Sequence, residues 1–377
     1  MQVETRILPP KYQSYPVDVY LRIFRQGTQY GLEIHAVGRS LRCPIEMTPQ
    51  DLLELNRQLQ QEMYSIARNN SQEPPAKEEL ENLIEVGHYA FNRVFGHSEA
   101  LTAIKQLTSL NSGITIQIAS EDFFLPWELI YPDSPDILNY SSFWGMSHLI
   151  SRVITQGNHP GSFVSPQINI DICPRLGMLT YGGLRGVEGE LNFFRQMENE
   201  GKMTLSLLRS LDSSKKREEF QVFKNFWDDR LDLAHFACHA VCASDSPNLS
   251  HILLSEEFRI TLREMDAYGI SINGYPLIIM NACETGVLNP LHTSNFASAF
   301  LKYGARGIVA TECAVPDTFA ADFTEQLYTH LFAGKLLGES LLTARQYFLQ
   351  QYNNPSGLLY SMYAHPSIQL VQARGSN

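Results

Sequence analysis

The sequence predicts an α/β protein: a mostly parallel sheet with helices on both faces in its C-terminal half, preceded by an α+β N-terminal region. Two observations predict this class. From about residue 169 onward, short apolar runs alternate with longer helical stretches, as in parallel strands joined by covering helices. The short runs are apolar at nearly every position, which is typical of strands that are buried on both faces of a sheet.

The N-terminal region begins with a predicted hairpin and helix. Apolar residues alternate with polar ones over 17–23 and 30–34, and Gly27 lies between the two runs, so we expect two antiparallel strands. Thr48 followed by Pro49 predicts a helix start. Threonine caps the first turn, and proline fits the first helical position because no intrahelical bond is lost there.

A second helix is predicted over 78–95 and a further strand over 114–118. The regular pattern stops at 156–168, where glycine, asparagine, proline and serine cluster. We therefore interpret 156–168 as a linker between an N-terminal region, 1–155, and a C-terminal core, 169–377.

The C-terminal core contains the alternation that predicts the fold class. Strands are predicted over 177–181, 203–208, 231–238, 276–280 and 307–310. Helices are predicted over 188–197, 218–227, 295–303, 319–332 and 339–351. Between the third and fourth strands, apolar residues around Ile252 and Ile260 predict a small hairpin beside the sheet.

Charge and cysteine content exclude several classes of protein. The chain of 377 residues has 29 Lys and Arg against 40 Asp and Glu, a formal net charge of −11. We expect no nucleic-acid partner, because phosphate binding requires a basic face. The six cysteines are sparse and unevenly spaced, which favours reduced thiols over a disulfide framework. No apolar run has the length of a membrane span or a signal peptide, so we expect a cytoplasmic protein without membrane contact.

Two predicted strands end in residues that can react together. His239 follows the strand over 231–238, and Cys283 follows the strand over 276–280. The carboxyl ends of neighbouring parallel strands share one crevice, so the imidazole and the thiol would meet there. A histidine can take the proton of the thiol and return it to a leaving amine. The backbone N–H groups of Ala240 and Cys283 would then bind the developing oxyanion.

The residues around this pair resemble the CHAT-domain peptidases of the caspase, separase and gingipain clan. The resemblance rests on His-Phe-Ala-Cys-His-Ala, which contains His239, and on Asn-Ala-Cys-Glu-Thr-Gly, which contains Cys283. Pro-Trp-Glu-Leu-Ile-Tyr, around Glu128, is similar to a third hallmark of the family. The resemblance runs from about residue 110 to the end and implies a caspase-like fold with a His239–Cys283 dyad. The chain departs from the pattern at Ala240, where the family usually has glycine.

The resemblance implies a cysteine endopeptidase that uses no cofactor or metal and cuts a specific protein partner. Such proteins are typical of bacterial defence or programmed-death systems. A gasdermin-like pore former is therefore an expected substrate, and a sensor or partner protein an expected activator. Two alternatives stay open: a catalytically silent caspase-like scaffold that binds partners, and another cysteine-dependent acyl hydrolase. Residues 1–155 are either a degenerate caspase-like half or a partner-binding region.

The substrate pocket has weaker candidates than the dyad. They are Asn281, Glu284, Cys313 and Asp317. In related enzymes that cut after basic residues, an acidic residue lies two positions before the nucleophile, where this chain has Asn281. The neutral side chain predicts that the P1 residue is not obligatorily basic. We interpret His235, four residues before His239, as an internal hydrogen-bonded residue rather than a second base.

Overall fold

The structure is a computed structural model that describes residues 17–67, 72–109, 113–155, 159–243, 246–255, 258–282 and 296–373. Two sheets organise it. The strands of the first lie before residue 155, and those of the second lie after residue 174. None of the helices in the described ranges combines the length and apolar composition that a membrane span needs.

The N-terminal region is α+β, as predicted. Its sheet has five strands in the order β3-β2-β1-β4-β5. The strands are β1 (Val19–Gln26), β2 (Gln29–Ala36), β3 (Arg39–Ile45), β4 (Thr115–Ser120) and β5 (Leu149–Ile154). The predicted hairpin is present as β1 and β2, and β4 and β5 continue the sheet in parallel with β1.

Helices cover this first sheet. They are α1 (Pro49–Ile66), α2 (Lys77–Phe95), α3 (Ser98–Ser109) and the single-turn α4 (Trp144–Ser147). The predicted helix start is confirmed, because the Thr48 hydroxyl accepts from Asp51 N and the Asp51 carboxylate accepts from Thr48 N. This reciprocal capping satisfies two backbone donors that a helix start otherwise leaves open.

The second sheet has six strands in the order β15-β14-β13-β9-β7-β8, and every neighbouring pair is parallel except β14 with β15. The strands are β7 (Arg175–Thr180), β8 (Thr204–Leu207), β9 (Leu233–Ala237), β13 (Leu277–Asn281), β14 (Gly307–Thr311) and β15 (Tyr360–Tyr363). The first five match the predicted strands within two residues at each end.

Helices lie on both faces of the second sheet. They are α5 (Val187–Asn199), α6 (Lys216–Phe226), α7 (Leu262–Ala267), α8 (Phe296–Tyr303), α9 (Asp317–Phe332) and α10 (Leu337–Tyr352). Alternation along each strand assigns the faces. In β13, Leu277 and Ile279 pack with α5, α9 and α10, whereas Ile278 and Met280 pack with α6, α7 and α8.

Two small sheets accompany the main ones. The strands β10 (His239–Val241), β11 (His251–Leu253) and β12 (Arg259–Thr261) form an antiparallel sheet that contains the predicted hairpin. The strands β6 (Gln167–Ile170) and β16 (Gln369–Gln372) pair in parallel, although about 200 residues separate them. Since β6 begins inside the predicted linker, the division at 156–168 remains a proposal.

A buried charged cluster joins the two main sheets. Arg152 on β5 donates to the carboxylates of Glu128 and Glu312 and, at 2.9 Å, to the hydroxyl of Tyr363 on β15. Arg345 on α10 lies 3.5 Å from Glu128. All five residues are buried, so their charges are balanced by one another and by nearby buried groups such as the hydroxyl of Ser361 at Glu312 and the carbonyl of Tyr360 at Arg345.

The cluster has two further consequences. Glu128, from the Pro-Trp-Glu-Leu-Ile-Tyr segment, links the two halves because its carboxylate contacts both Arg152 and Arg345. Burial raises the pKa of Glu312 above its ordinary value, although the charge of Arg152 opposes the shift. Beside the cluster, the buried Ser151 hydroxyl donates to the carbonyl of Ala364 at 2.7 Å, which adds a neutral contact between the halves.

Candidate active site

A cleft lies at the carboxyl ends of β7, β9, β13 and β14, where an open parallel sheet presents its functional groups. Its lining includes residues from the ends of β9, β13 and β14, from the loop after β7, and from the starts of α5 and α9. The lining residues include Glu190, His239, Asn281, Ala282, Thr311 and Asp317. His239, the predicted base, and Asn281, a predicted pocket residue, both line this cleft.

His239 lies at the point where β9 ends and the small β10 sheet begins. Its imidazole is half-buried and contacts the ring of Tyr181, with 5.1 Å between ring centroids and a tilt of 54°. Tyr181 follows β7, so two neighbouring strands fix the position of the imidazole. The preceding thiol, Cys238, is buried in the core on the other face of the sheet.

The backbone N–H and C=O groups of Ala240 point away from the hairpin formed by β11 and β12. Leu254 N donates to Phe258 O and Leu262 N donates to Ser250 O, so alternation directs the backbone groups of Ile252 toward β12. Ala240 is paired with Ile252 across β10 and β11, and its own N–H therefore points to the opposite side.

The substitution of alanine for the usual glycine is compatible with this backbone. Among the described non-glycine residues, φ is positive at Tyr275 and Asn353, and Ala240 therefore has an ordinary conformation. No strain arises from its Cβ, since the left-handed region is not required here.

Cys283 and Glu284 lie outside the described residues. The segment that leads to them is held by a contact from the neighbouring strand. The hydroxyl of Thr311, at the end of β14, donates to the carbonyl of Ala282, and both residues are buried. Thr311 is followed by Glu312, so the cleft and the buried charged cluster are connected through adjacent residues of one strand end.

Asn281 forms hydrogen bonds with three elements around it. Its amide nitrogen lies 2.9 Å from Glu190 Oε1, 3.0 Å from Ala320 O and 3.0 Å from Thr324 Oγ1. Its amide oxygen accepts from the hydroxyl of Tyr360 at 2.6 Å. The side chain is thus fully engaged inside the protein, and the link between its neutral charge and the P1 preference stays a prediction.

Glu190 connects Asn281 to His235 on the neighbouring strand. The second carboxylate oxygen, Oε2, accepts from His235 Nε2, and the hydroxyl of Tyr328 on α9 lies 3.3 Å from His235 Nδ1. Burial, together with the charge of Glu190, raises the pKa of Tyr328, so the phenol keeps its proton and can donate. The interpretation of His235 as an internal hydrogen-bonded residue is confirmed.

The two other pocket candidates lie in different surroundings. Asp317 lines the cleft and accepts from Arg185 N at 3.1 Å, and its carbonyl packs against Gly186, where an added Cβ would lie only 2.2 Å from the carbonyl oxygen. Cys313 is fully buried in the core of the N-terminal sheet. We therefore keep Asp317, but not Cys313, as a proposed pocket residue.

The sequence of this chain matches the model of a known protein family. The model of the CHAT domain matches residues 62–368, from the last turns of α1 to the end of the second sheet. This chain belongs to the CHAT-domain family. The match starts earlier than the expected residue 110 and takes in β4 and β5 of the first sheet and all of the second, whereas β1, β2 and β3 lie before it.

Two known proteins are similar to this CHAT domain. A probable protease of Vitiosangium sp. (strain GDMCC 1.1324) is 25% identical over 282 residues, which cover 71% of this chain and 36% of that relative. The chain thus matches about a third of the relative's length. A chain of the Saccharomyces cerevisiae separase–securin complex aligns at a TM-score of 0.50 with 11% identity, covering 94% of this chain and 30% of that chain. The predicted caspase-like α/β fold is confirmed.

Sequence reasoning missed Glu190, Tyr181 and Tyr360 as members of the site. Glu190 lies in the first turn of α5, where acidic residues are common because they complement the helix dipole. Its exposed neighbour Glu188 lies off the apolar face of α5. Glu190 instead recurs at helical spacing with the apolar residues Val187, Phe194 and Met197, and this spacing was the available signal.

Proposed function

We propose that this chain is a cysteine endopeptidase in which Cys283 is the nucleophile and His239 its general base. The observation that carries the proposal is the position of His239 in the cleft, next to the strand end that leads to Cys283. Membership of the CHAT family and similarity to a probable protease support peptidase chemistry.

The reaction would proceed through a thioester. His239 takes the Sγ proton of Cys283, and the thiolate attacks the scissile carbonyl carbon. The tetrahedral intermediate collapses with cleavage of the C–N bond, and the imidazolium of His239 returns the proton to the leaving amine. A water, deprotonated by His239, then attacks the thioester and releases the carboxyl product and the free thiol.

The oxyanion would be bound by the backbone N–H groups of Ala240 and Cys283. The direction of the Ala240 N–H, away from the β11 hairpin, supports this role. Such a donor is typically worth about a hundredfold or more in kcat. Alanine supplies the same N–H as glycine, so the departure from the family pattern leaves the proposed chemistry intact.

We propose a protein as substrate and keep the biological setting that the family resemblance implies. In that setting, a sensor or partner protein activates the peptidase in a bacterial defence or programmed-death pathway, and a gasdermin-like pore former is one substrate. Asp317 and Glu284 are proposed to contact the substrate near P1, since Asp317 lines the cleft and Glu284 directly follows the nucleophile.

Cleavage of a candidate partner tests the proposal. Wild-type protein, Cys283→Ala and His239→Ala would each be co-expressed with proteins encoded beside the gene, and fragments followed by intact-mass spectrometry. We expect cleavage by the wild type, none by Cys283→Ala, and a loss of about 10²- to 10⁴-fold for His239→Ala. Cys242→Ala is the matched control, and it should cleave like the wild type.

Thiol labelling separates a peptidase from a silent scaffold when no substrate is known. Burial raises the pKa of Cys242 to about 12, so this thiol should alkylate very slowly at neutral pH. We expect iodoacetamide to label Cys283 much faster than Cys242, and His239→Ala to slow that labelling. Equal rates for the two thiols would favour the scaffold alternative.

A further inference from the structure

One buried carboxylate contacts both of the neighbouring strands that carry the proposed dyad. Glu190 on α5 contacts His235 through one oxygen and Asn281 through the other. His235 lies on β9, four residues before His239, and Asn281 lies at the end of β13, two residues before Cys283. The side chain of Glu190 is almost fully buried, so water does not replace either contact.

The acceptors around Glu190 fix the directions of its two hydrogen bonds. The carboxylate of Glu190 and the carbonyl of Ala320 can only accept, so Asn281 presents its amide nitrogen to them and its amide oxygen to the hydroxyl of Tyr360. For the same reason His235 Nε2 is the donor to Glu190, while the hydroxyl of Tyr328 lies 3.3 Å from His235 Nδ1. Both neighbours of Glu190 are donors, and only a side chain with two acceptor oxygens satisfies them.

We propose that Glu190 is a positioning residue of the peptidase, which sets the strand end before Cys283 relative to the strand end before His239. This inference rests on the proposed function. Glu190 itself makes no step of the reaction, because both of its oxygens are engaged with protein donors. Its effect passes through Asn281, whose amide also contacts α9 and β15 and so fixes the end of β13 on several sides.

The donor and acceptor pattern predicts which single substitutions fail. Glu190→Gln keeps the size of the side chain but replaces one acceptor oxygen with an NH2 donor. That NH2 group faces either the amide nitrogen of Asn281 or Nε2 of His235, and both of these are donors. Asn281→Asp places two carboxylates within hydrogen-bond distance and removes the donor to Glu190. The double variant Glu190→Gln/Asn281→Asp restores a donor at 190 and an acceptor at 281, and Tyr360 can still donate to position 281.

The test compares these three variants with Glu188→Gln, an exposed position in the same helical turn. Each protein is assayed for cleavage of a peptide from the partner substrate, for the iodoacetamide labelling rate of Cys283 at pH 7, and for thermal unfolding. We expect kcat to fall about 10- to 100-fold in either single variant, as for a small misplacement of reacting groups, with KM changed far less. The double variant should recover part of this loss.

Tyr360→Phe provides a milder variant if a single substitution fails to fold. It removes one donor to Asn281 and leaves every charge in place, and we expect a severalfold loss of kcat. Single variants that fold and keep the wild-type kcat, or a double variant slower than both, would overturn the positioning role. A wild-type protein whose Cys283 labels no faster than Cys242 would instead overturn the proposed function, and this inference with it.

Discussion

Arg152→Met should destabilise the protein by about 3–5 kcal/mol, the usual cost of removing one partner from a buried ion pair. The Arg152 side chain is only 6% exposed, and the two carboxylates that it contacts are 0% and 6% exposed. Methionine fills much of the space of the arginine stem but donates nothing. Glu128 would keep Arg345, whereas Glu312 would keep only the hydroxyls of Ser361 and Tyr363.

The expected change in Tm follows from the size of the chain. An unfolding entropy of about 2.1 cal/mol/K per residue gives about 0.8 kcal/mol/K for the whole chain, so this loss lowers Tm by about 4–6 °C. Thermal unfolding followed by circular dichroism would measure it. Arg22→Met is the matched control, because Arg22 pairs with Glu33 at 3.3 Å with its side chain 56% exposed. Such a pair is worth about 1 kcal/mol or less.

The destabilisation caused by Arg152→Met should increase with pH. The pKa of Glu312 is already raised above its ordinary value of 4.5 by burial, and loss of Arg152 raises it further. When the pKa of a carboxyl group is higher in the folded than in the unfolded protein, its contribution to stability is fully present below the pKa of the unfolded state. That contribution is lost as pH rises through the pKa of the folded state. The gap between wild type and Arg152→Met should therefore widen as pH increases from about 4.5 toward neutrality.

A second substitution tests this cause directly. Glu312→Gln added to Arg152→Met removes the uncompensated carboxylate, so it should restore part of the stability and flatten the pH dependence. The reasoning would be refuted if Arg152→Met cost no more than Arg22→Met, or if its effect were the same at pH 4.5 and pH 7.

Three further substitutions test other contacts. Gly186→Ala places a Cβ 2.2 Å from the carbonyl oxygen of Asp317, so we expect a displaced cleft wall and lower kcat/KM in the cleavage assay, whereas unchanged kinetics would contradict the close packing. Ser151→Ala leaves a buried carbonyl of the C-terminal half without its hydroxyl donor and should cost about 1–3 kcal/mol in denaturant unfolding. Tyr181→Ala removes the ring against His239 and should lower kcat, measured with the same substrate, more than it lowers Tm.

The central strands could be predicted because their physical signal is local. A strand buried on both faces is apolar at nearly every position, and 276–280 has this pattern regardless of its partners. The strands β10, His-Ala-Val, and β15, Tyr-Ser-Met-Tyr, were missed because they are short and mix polar with apolar residues, so no apolar run marks them. Pairing of β6 with β16 has no local signal at all, since the two lie about 200 residues apart.

The residues of the candidate site likewise include some whose role has a local sequence signal and some whose role has none. His239 was found because it follows a recognisable strand and stands in a family motif. Glu190 was not, because its role comes from partners 45 and 91 residues away that meet it only in the folded sheet. The P1 prediction for Asn281 rested on its neutral charge alone, since a sequence gives the charge of a side chain but not the donors and acceptors around it.

The buried charged cluster argues that the N-terminal sheet supports the proposed active site. Arg152 on β5 donates to Glu312, and the preceding residue, Thr311, donates to the carbonyl of Ala282, one residue before Cys283. Hydrophobic packing agrees, because Leu358 and Leu359, just before β15, lie in the core of the first sheet. A buried charge that lost its partner would have to be solvated, and the end of β14 would then move together with the segment it holds. The first sheet therefore contributes to the geometry of the cleft without supplying any of the described residues that line it.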